Sequence, residues 1–200
     1  RRGAASAGLS WAGMDRVLLA LVVLATGCRQ ADPGDDVWSM RGDGAVTVEE
    51  RVGPGGHFSV YRPSDLATNT PHPVVVWSVG TGGSPDAYRA LLEHWASHGF
   101  VAVAGDDGNQ ANGDQALEGL AWILAEDAAG GAYAGMIDED AVGASGHSQG
   151  GNACLHVALR DARIDAVVPL EPGRGELGDA EIADQSRLTV PVFYVCGEND

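Results

Sequence analysis

The chain has 200 residues, of which 44% are hydrophobic and 20% charged, a composition typical of a globular protein with one sizeable core. Its 28 acidic residues outnumber the 12 basic ones and give a formal net charge of -16. A surface of this sign repels phosphate backbones, so the composition argues against a nucleic-acid-binding protein.

Residues 1–36 are predicted to hold upstream residues that precede Met14, an export signal and a polar linker rather than part of the fold. Residues 17–25 (VLLALVVLA) form an apolar run after Met14 that is shorter than the about 20 residues needed to span a bilayer. The following Gly27-Cys28 resembles a bacterial lipoprotein processing site, although Leu24 stands one place too far from the cysteine. We expect a secreted or cell-envelope protein, either attached to the membrane through a lipid on Cys28 or released after ordinary signal cleavage.

Residues 37–200 are predicted to form one α/β domain. Extended pieces at 45–48 and 57–62 flank a glycine-rich turn and indicate an antiparallel hairpin. After them, strands alternate with helices. The strands are predicted at 74–79, 100–104, 141–146, 166–170 and 190–196. One helix is predicted to begin after Ser84 as N-cap, a second after Asp114 as N-cap, and a third to span 149–160. This alternation predicts a mostly parallel sheet with helices on both faces.

The segment 146–150 (GHSQG) carries the predicted nucleophile, Ser148. A strand is predicted to enter this Gly-x-Ser-x-Gly pattern and a helix to leave it, as the nucleophile elbow of an α/β-hydrolase requires. The glycines suit such a sharp turn because a Cβ at either position would clash. The alternative is a glycine-rich turn in which the serine has no chemical role.

Acyl transfer also needs donors for the oxyanion. One is expected from the backbone N–H of Gln149, directly after the nucleophile, and the other from loop 80–83 after an earlier strand, where Thr81 is the predicted donor. A phosphate-binding loop is the alternative for 80–83, but the lysine of a P-loop and the spacing of a dinucleotide site are missing.

The triad acid should follow the nucleophile, near the end of a later strand. Asp200 is the first candidate, Glu198 the second and Glu171 the third. The chain stops directly after a predicted strand that should be covered by a helix, so we expect the sequence to be truncated at its C-terminus.

Cys154 and Cys196 are predicted to be buried, and with Cys28 they make neither a disulfide framework nor a zinc site, so no metal or cofactor is implied.

Segments 97–101 (SHGFV), 146–151 (GHSQGG) and 190–200 resemble the bacterial cutinase and polyester hydrolase group, which is related to chlorophyllase-like and dienelactone-hydrolase-like esterases. The resemblance implies an α/β-hydrolase fold, Ser148 as nucleophile, Asp200 as triad acid, and Thr81 and Gln149 as oxyanion donors. That group carries a tryptophan where this chain has 170–173 (LEPG), and often an aromatic residue at the position of Thr81. Both differences argue against an aromatic polyester as substrate.

The general base should follow the acid, yet every histidine precedes Asp200. The six are His57, His72, His94, His98, His147 and His156. We therefore expect the catalytic histidine beyond residue 200 and expect the 200 residues alone to be inactive. The predicted function is a serine ester hydrolase acting by two-step acyl transfer, with an ester as its partner. A peptidase or amidase on the same fold and a catalytically inactive surface-binding protein are the alternatives.

Overall fold

The computed structural model describes residues 39–66, 70–109, 111–173 and 183–197. Their six strands are β1 (Val46–Val52), β2 (Phe58–Pro63), β3 (His72–Ser78), β4 (Val101–Gly105), β5 (Ile137–His147) and β6 (Ala166–Leu170). The α-helices of these ranges are α1 (Arg89–Ser97), α2 (Asp114–Glu126) and α3 (Gln149–Arg160). Short 3-10 helices lie at Pro54–Gly56, Pro85–Tyr88 and Gln185–Arg187. None of the described helices is long and apolar enough to cross a bilayer.

The strands form one sheet in the order β1-β2-β4-β3-β5-β6. The pairs β1–β2 and β2–β4 are antiparallel, whereas β3–β4, β3–β5 and β5–β6 are parallel. The sheet is continued beyond β6 by the segment 191–195, which forms parallel bridges from Val192 to Val167 and from Val195 to Leu170. The carboxyl ends of β3, β4, β5, β6 and this segment therefore meet at one edge of the sheet.

Hydrophobic cores lie on both faces of the sheet, because β3 is buried on both sides. Val74 and Val76 point into the core beneath α2 and α3, while Val75 and Trp77 point into the core beneath α1. This alternation explains why the strand has a continuous apolar run in place of an alternating pattern. The predicted mostly parallel sheet with helices on both faces is confirmed.

Several boundaries differ from the prediction. β5 begins at Ile137 and not at residue 141, with an irregular register against β3 between Pro73 and Val74. The segment after Ser84 begins as a 3-10 helix before α1. Asp114 is not an N-cap but the first residue of α2. The cap is Gly113, with a left-handed φ of 78° that disfavours side chains. Residues 190–196 make two isolated bridges and not a regular strand.

Candidate functional site

Ser148 lies at the turn between β5 and α3, where the sequence predicts it. Its φ of 55° and ψ of -119° are strained for a residue with a side chain. The strand ends at His147 and the helix begins at Gln149, so the serine is raised at the carboxyl edge of the sheet. The N-terminus of α3 lies directly behind it and favours negative charge.

Two glycines allow this turn to pack against β3. A Cβ at Gly146 would overlap the carbonyl oxygen of Gly150, and a Cβ at Gly150 would overlap the carbonyl oxygen of Ser78. Both obstacles are backbone atoms, which cannot rotate away as a side chain can. The glycines of the motif are therefore explained by the close contact of α3 with the ends of β3 and β5.

The loop 80–83 follows β3 and leaves one N–H group for a ligand. Its glycine N–H groups donate hydrogen bonds within the protein: Gly80 to Tyr88 Oη (3.1 Å), Gly82 to Gly108 O (2.9 Å) and Gly83 to Gly80 O (2.8 Å). No described residue accepts a hydrogen bond from the N–H of Thr81, which is exposed. Gln149, in the first turn of α3, has an N–H with no acceptor inside the helix.

Gln149 also places its side chain across the site. Its Nε2 donates to Asn109 Oδ1 at 3.3 Å, in the loop after β4. Its Oε1 is buried and has no partner among the described residues. The loop after β4 is joined to loop 80–83 as well, through the Gly82–Gly108 hydrogen bond, so the floor of the site is built from three connected segments.

The loop after β6 contacts Ser148 through the backbone of Gly173. Gly173 N–H donates to Ser148 O at 2.8 Å. A Cβ at Gly173 would lie 3.4 Å from Ser148 Oγ and 3.2 Å from Gln149 N. In this region the resemblance leads one to expect a tryptophan. The glycine at position 173 therefore leaves this side of Ser148 without an aromatic ring.

His147 directly precedes Ser148 and has both ring nitrogens turned to other groups. Its Nδ1 is 3.0 Å from Tyr88 Oη, and its Nε2 is 3.5 Å from Glu171 Oε2. Glu171 is the third-ranked acid of the sequence analysis, and its carboxylate faces His147. The backbone of Glu171 has a φ of 45°, which is strained for a residue with a Cβ.

The other histidines stand too far from Ser148 to serve as its base. His57 pairs with Asp106 at 3.2 Å, but β2 is three strands from β5, about 14 Å at the usual strand spacing. His72 begins β3 and bonds Gly99 O at 2.8 Å, at the opposite edge of the sheet. His94 and His98 lie at the C-terminal end of α1, towards that same edge, and His156 is about 12 Å along α3 from Ser148.

The segment 191–195 is directed towards the same edge as the nucleophile. Ser148 N–H donates to Leu170 O (3.0 Å), and Glu171 N–H donates to Val195 O (2.6 Å). The chain therefore leaves this segment at the edge of the sheet that carries Ser148. Asp200 and Glu198, the first- and second-ranked acids, lie outside the described residues, as does Cys28.

Neither a buried thiol nor a metal cluster competes with Ser148 in the described part of the chain. Burial raises the pKa of Cys154 well above its usual range, and its Sγ donates to Gly151 O at 3.0 Å. The thiol is thus protonated and enclosed in α3. Cys196 is exposed, so the prediction that it is buried is wrong; it follows the two isolated bridges and not a regular strand inside the sheet. No group of three or more His, Cys, Asp or Glu side chains among the described residues is placed to hold a metal ion.

Comparison with known proteins yields a family and several relatives. A family model described as PET hydrolase-like matches residues 37–200. The chain is 28% identical to cutinase est2 of Thermobifida alba over 183 residues, which cover 86% of this chain and 57% of that protein. It is also 28% identical, over 155 residues and 72% of its length, to cutinase 2 of Thermobifida cellulosilytica and to a cutinase of Thermobifida fusca strain YX, covering 57% and 47% of those proteins.

The chain thus spans about half the length of the curated relatives it matches. The family match takes in every described residue, and the sheet order, the elbow at Ser148 and the helices on both faces agree with it. The chain therefore belongs to the PET hydrolase-like family and has the α/β-hydrolase fold.

Proposed function

We propose that the protein is a serine carboxylic-ester hydrolase that acts by two-step acyl transfer. The observation that carries the proposal is the strained turn of Ser148 between β5 and α3, with the N–H groups of Thr81 and Gln149 left unused by the described residues nearby. A hydroxyl raised at a helix N-terminus, beside two available donors, is what nucleophilic attack on a carbonyl requires. The cutinase names of the relatives support an ester as the substrate.

In the first step, Ser148 Oγ forms a bond to the ester carbonyl carbon while a histidine takes its proton. The carbonyl oxygen becomes an oxyanion and accepts hydrogen bonds from the N–H groups of Thr81 and Gln149. When the intermediate collapses, the C–O bond to the alcohol breaks and the histidine returns its proton to the leaving alcohol. Water then attacks the acyl-serine with the same histidine as base, releasing the acid and restoring the hydroxyl.

The base and its partner are assigned by chain order. The described histidines are engaged elsewhere or too distant, so we place the general base beyond residue 200. Asp200, which comes five residues after the segment 191–195 in the sequence, would orient it. Residues 1–200 alone would then hydrolyse esters at least about a thousandfold more slowly than the full-length protein, because triad members act as a unit.

The site favours small or aliphatic esters over aromatic polyesters. Gly173 lies against Ser148 without a side chain, and Thr81 is exposed and not aromatic. No ring at these two positions can stack on an aromatic acyl group.

Export is part of the proposal, with Cys28 lipidated in the native host. Mass spectrometry of the mature protein tests this. An unmodified Cys28 would refute lipidation and would favour ordinary cleavage of a signal peptide.

The test of the function compares Ser148→Ala with the matched surface variant Ser186→Ala in the full-length protein. Hydrolysis of p-nitrophenyl butyrate should fall by at least about a thousandfold in Ser148→Ala and stay unchanged in Ser186→Ala. Wild-type turnover by Ser148→Ala would refute the assignment. Because an anilide is intrinsically far less reactive than a p-nitrophenyl ester, cleavage of the corresponding p-nitroanilide at a rate comparable to that of the ester would identify an amidase, and failure of the wild-type protein on both would favour a binding protein.

A further inference from the structure

Three side chains outside the proposed catalytic set connect loop 80–83 to the loop after β6 that contacts Ser148. Tyr88 Oη accepts the N–H of Gly80 at 3.1 Å and lies 3.0 Å from His147 Nδ1. The other ring nitrogen of His147 lies 3.5 Å from the carboxylate of Glu171. Tyr88 ends the 3-10 helix that precedes α1, His147 ends β5, and Glu171 lies in the loop after β6.

We propose that Tyr88, His147 and Glu171 form a clamp that positions the oxyanion donor Thr81 relative to Ser148. The inference rests on the proposed function, since it concerns the geometry of the same reaction. All three are positioning residues, and none of them takes a proton from the substrate or donates one to it.

The hydrogen-bond directions follow from the donors available. The hydroxyl of Tyr88 accepts the Gly80 N–H and can donate its own proton to His147 Nδ1 when that nitrogen is unprotonated. A neutral His147 then carries its proton on Nε2, which points at the carboxylate of Glu171. In this arrangement the Tyr88 hydroxyl both donates and accepts, and Glu171 faces the other side of the imidazole, so contacts on both sides hold the ring of His147.

The packing shows that the clamp occupies the space above the loop. A Cβ at Gly80 would lie 3.0 Å from Tyr88 Oη and 3.1 Å from His147 Nδ1. The ring of Tyr88 packs on Trp77 with centroids 4.8 Å apart, so the hydroxyl is presented by a buried aromatic support. Gly80 is buried and precedes Thr81 directly. The N–H of Thr81 belongs to the next peptide, whose oxygen, Gly80 O, accepts the N–H of Gly83 at 2.8 Å, so the bonds to Tyr88 and Gly83 together orient it.

At the other end, the clamp holds the wall of the site. Glu171 adopts a left-handed φ of 45° although it is not a glycine, a strain that persists only where surrounding contacts impose it. Its N–H is held by Val195 O at 2.6 Å, and two residues later Gly173 donates to Ser148 O at 2.8 Å. His147 thus ties loop 80–83 to the segment that lies over the nucleophile.

The test measures kcat and KM separately for p-nitrophenyl butyrate in the full-length protein. Tyr88→Phe removes one oxygen and keeps the ring on Trp77. A small misplacement of one oxyanion donor lowers the rate by about 10- to 100-fold, and we expect this loss in kcat with KM within about threefold. The matched control is Tyr61→Phe, because the Tyr61 hydroxyl is buried on β2 and has no hydrogen-bond partner in the described ranges. This control should retain wild-type kcat.

Glu171 keeps the proposal falsifiable if Tyr88→Phe does not fold, because its side chain is half-exposed. Glu171→Ala should lower kcat about 3- to 10-fold, since the misplacement is smaller at this end of the clamp. Glu171→Gln should retain most of the activity, because an amide oxygen in the same place would still face His147 Nε2. Equal losses in both variants would show that charge and not the hydrogen bond matters, and would overturn the clamp.

Inhibition by butylboronic acid separates positioning from general loss of structure. Its adduct with Ser148 places a boron-bound oxygen where the oxyanion forms, so its inhibition constant should rise in proportion to the loss of kcat. Wild-type kcat in folded Tyr88→Phe, or an unchanged inhibition constant alongside a lower kcat, would overturn the proposal. These comparisons use the activity of the wild-type protein as reference. The clamp can therefore be refuted while the Ser148→Ala test still supports the proposed function.

Discussion

The glycine at position 150 gives a prediction in which two physical effects have opposite signs. Gly150 is the second residue of α3, and alanine is preferred over glycine in a helix by up to about 1 kcal/mol, so helix propensity alone predicts that Gly150→Ala stabilises the protein. The structure predicts the reverse. The new Cβ would overlap Ser78 O and lie 2.6 Å from Val79 O, both backbone atoms at the buried end of β3.

The size of the effect follows from the two contributions. Forcing a methyl into a packed contact destabilises by about 1–3 kcal/mol, and the upper value applies because backbone atoms cannot turn away. With the propensity gain subtracted, Gly150→Ala should lose about 2 kcal/mol. For a domain of this size, that corresponds to a fall in Tm of about 4–8 °C.

The assay is thermal unfolding followed by circular dichroism, with Gly130→Ala as the control. Gly130 has a φ of 93°, and no described atom lies within 4 Å of the place where its Cβ would stand. Its substitution should therefore carry only the left-handed backbone penalty of about 1–2 kcal/mol. Urea unfolding with an unchanged m-value would verify that stability itself has changed. A Tm of Gly150→Ala equal to or above that of the wild type would refute the packing of the elbow described here.

Two further predictions concern stability. Asp127 Oδ1 accepts the N–H groups of Met136 and Ile137 at 2.8 Å each, so Asp127→Ala should lower the free energy of unfolding by about 1–3 kcal/mol in urea, while exposed Asp65→Ala should not. A hydrogen bond from Arg163 lowers the pKa of Asp161, so this stabilisation is present above the unfolded pKa of about 3.9 and is lost as the pH falls through the folded value. The Tm difference between wild type and Asp161→Asn should therefore shrink from about pH 6 to about pH 2.5, and a constant difference would contradict the ion pair.

The elements that local sequence determines could be predicted closely. The helix 149–160 and the strand 166–170 have the bounds expected, because a nucleophile turn, an apolar face and a continuous β-branched run are all read from neighbouring residues. The place of Ser148 could be predicted for the same reason. The elbow needs glycines two residues on either side of the serine, and both are in the sequence.

Contacts between distant segments could not be predicted. Periodicity places Tyr88 on the apolar face of a helix with Leu91 and Trp95, and its ring contact with Trp77 agrees with that placement. Its hydroxyl, however, meets His147, 59 positions away, and periodicity carries no information on such a pair. The start of β5 cannot be read from the sequence either, because acidic residues 138–140 are poor strand formers and pairing with β3 outweighs that preference.

The most direct test of the central claim, that Ser148 is an acyl-transfer nucleophile, is covalent labelling of the full-length protein with a fluorophosphonate. Phosphorus bonds to the activated oxygen with loss of fluoride, and peptide mass spectrometry locates the adduct. The account predicts a single adduct on Ser148, formed in step with the loss of hydrolysis of p-nitrophenyl butyrate. Loss of hydrolysis with an adduct on any other residue, or full hydrolysis by protein labelled at Ser148, would contradict it.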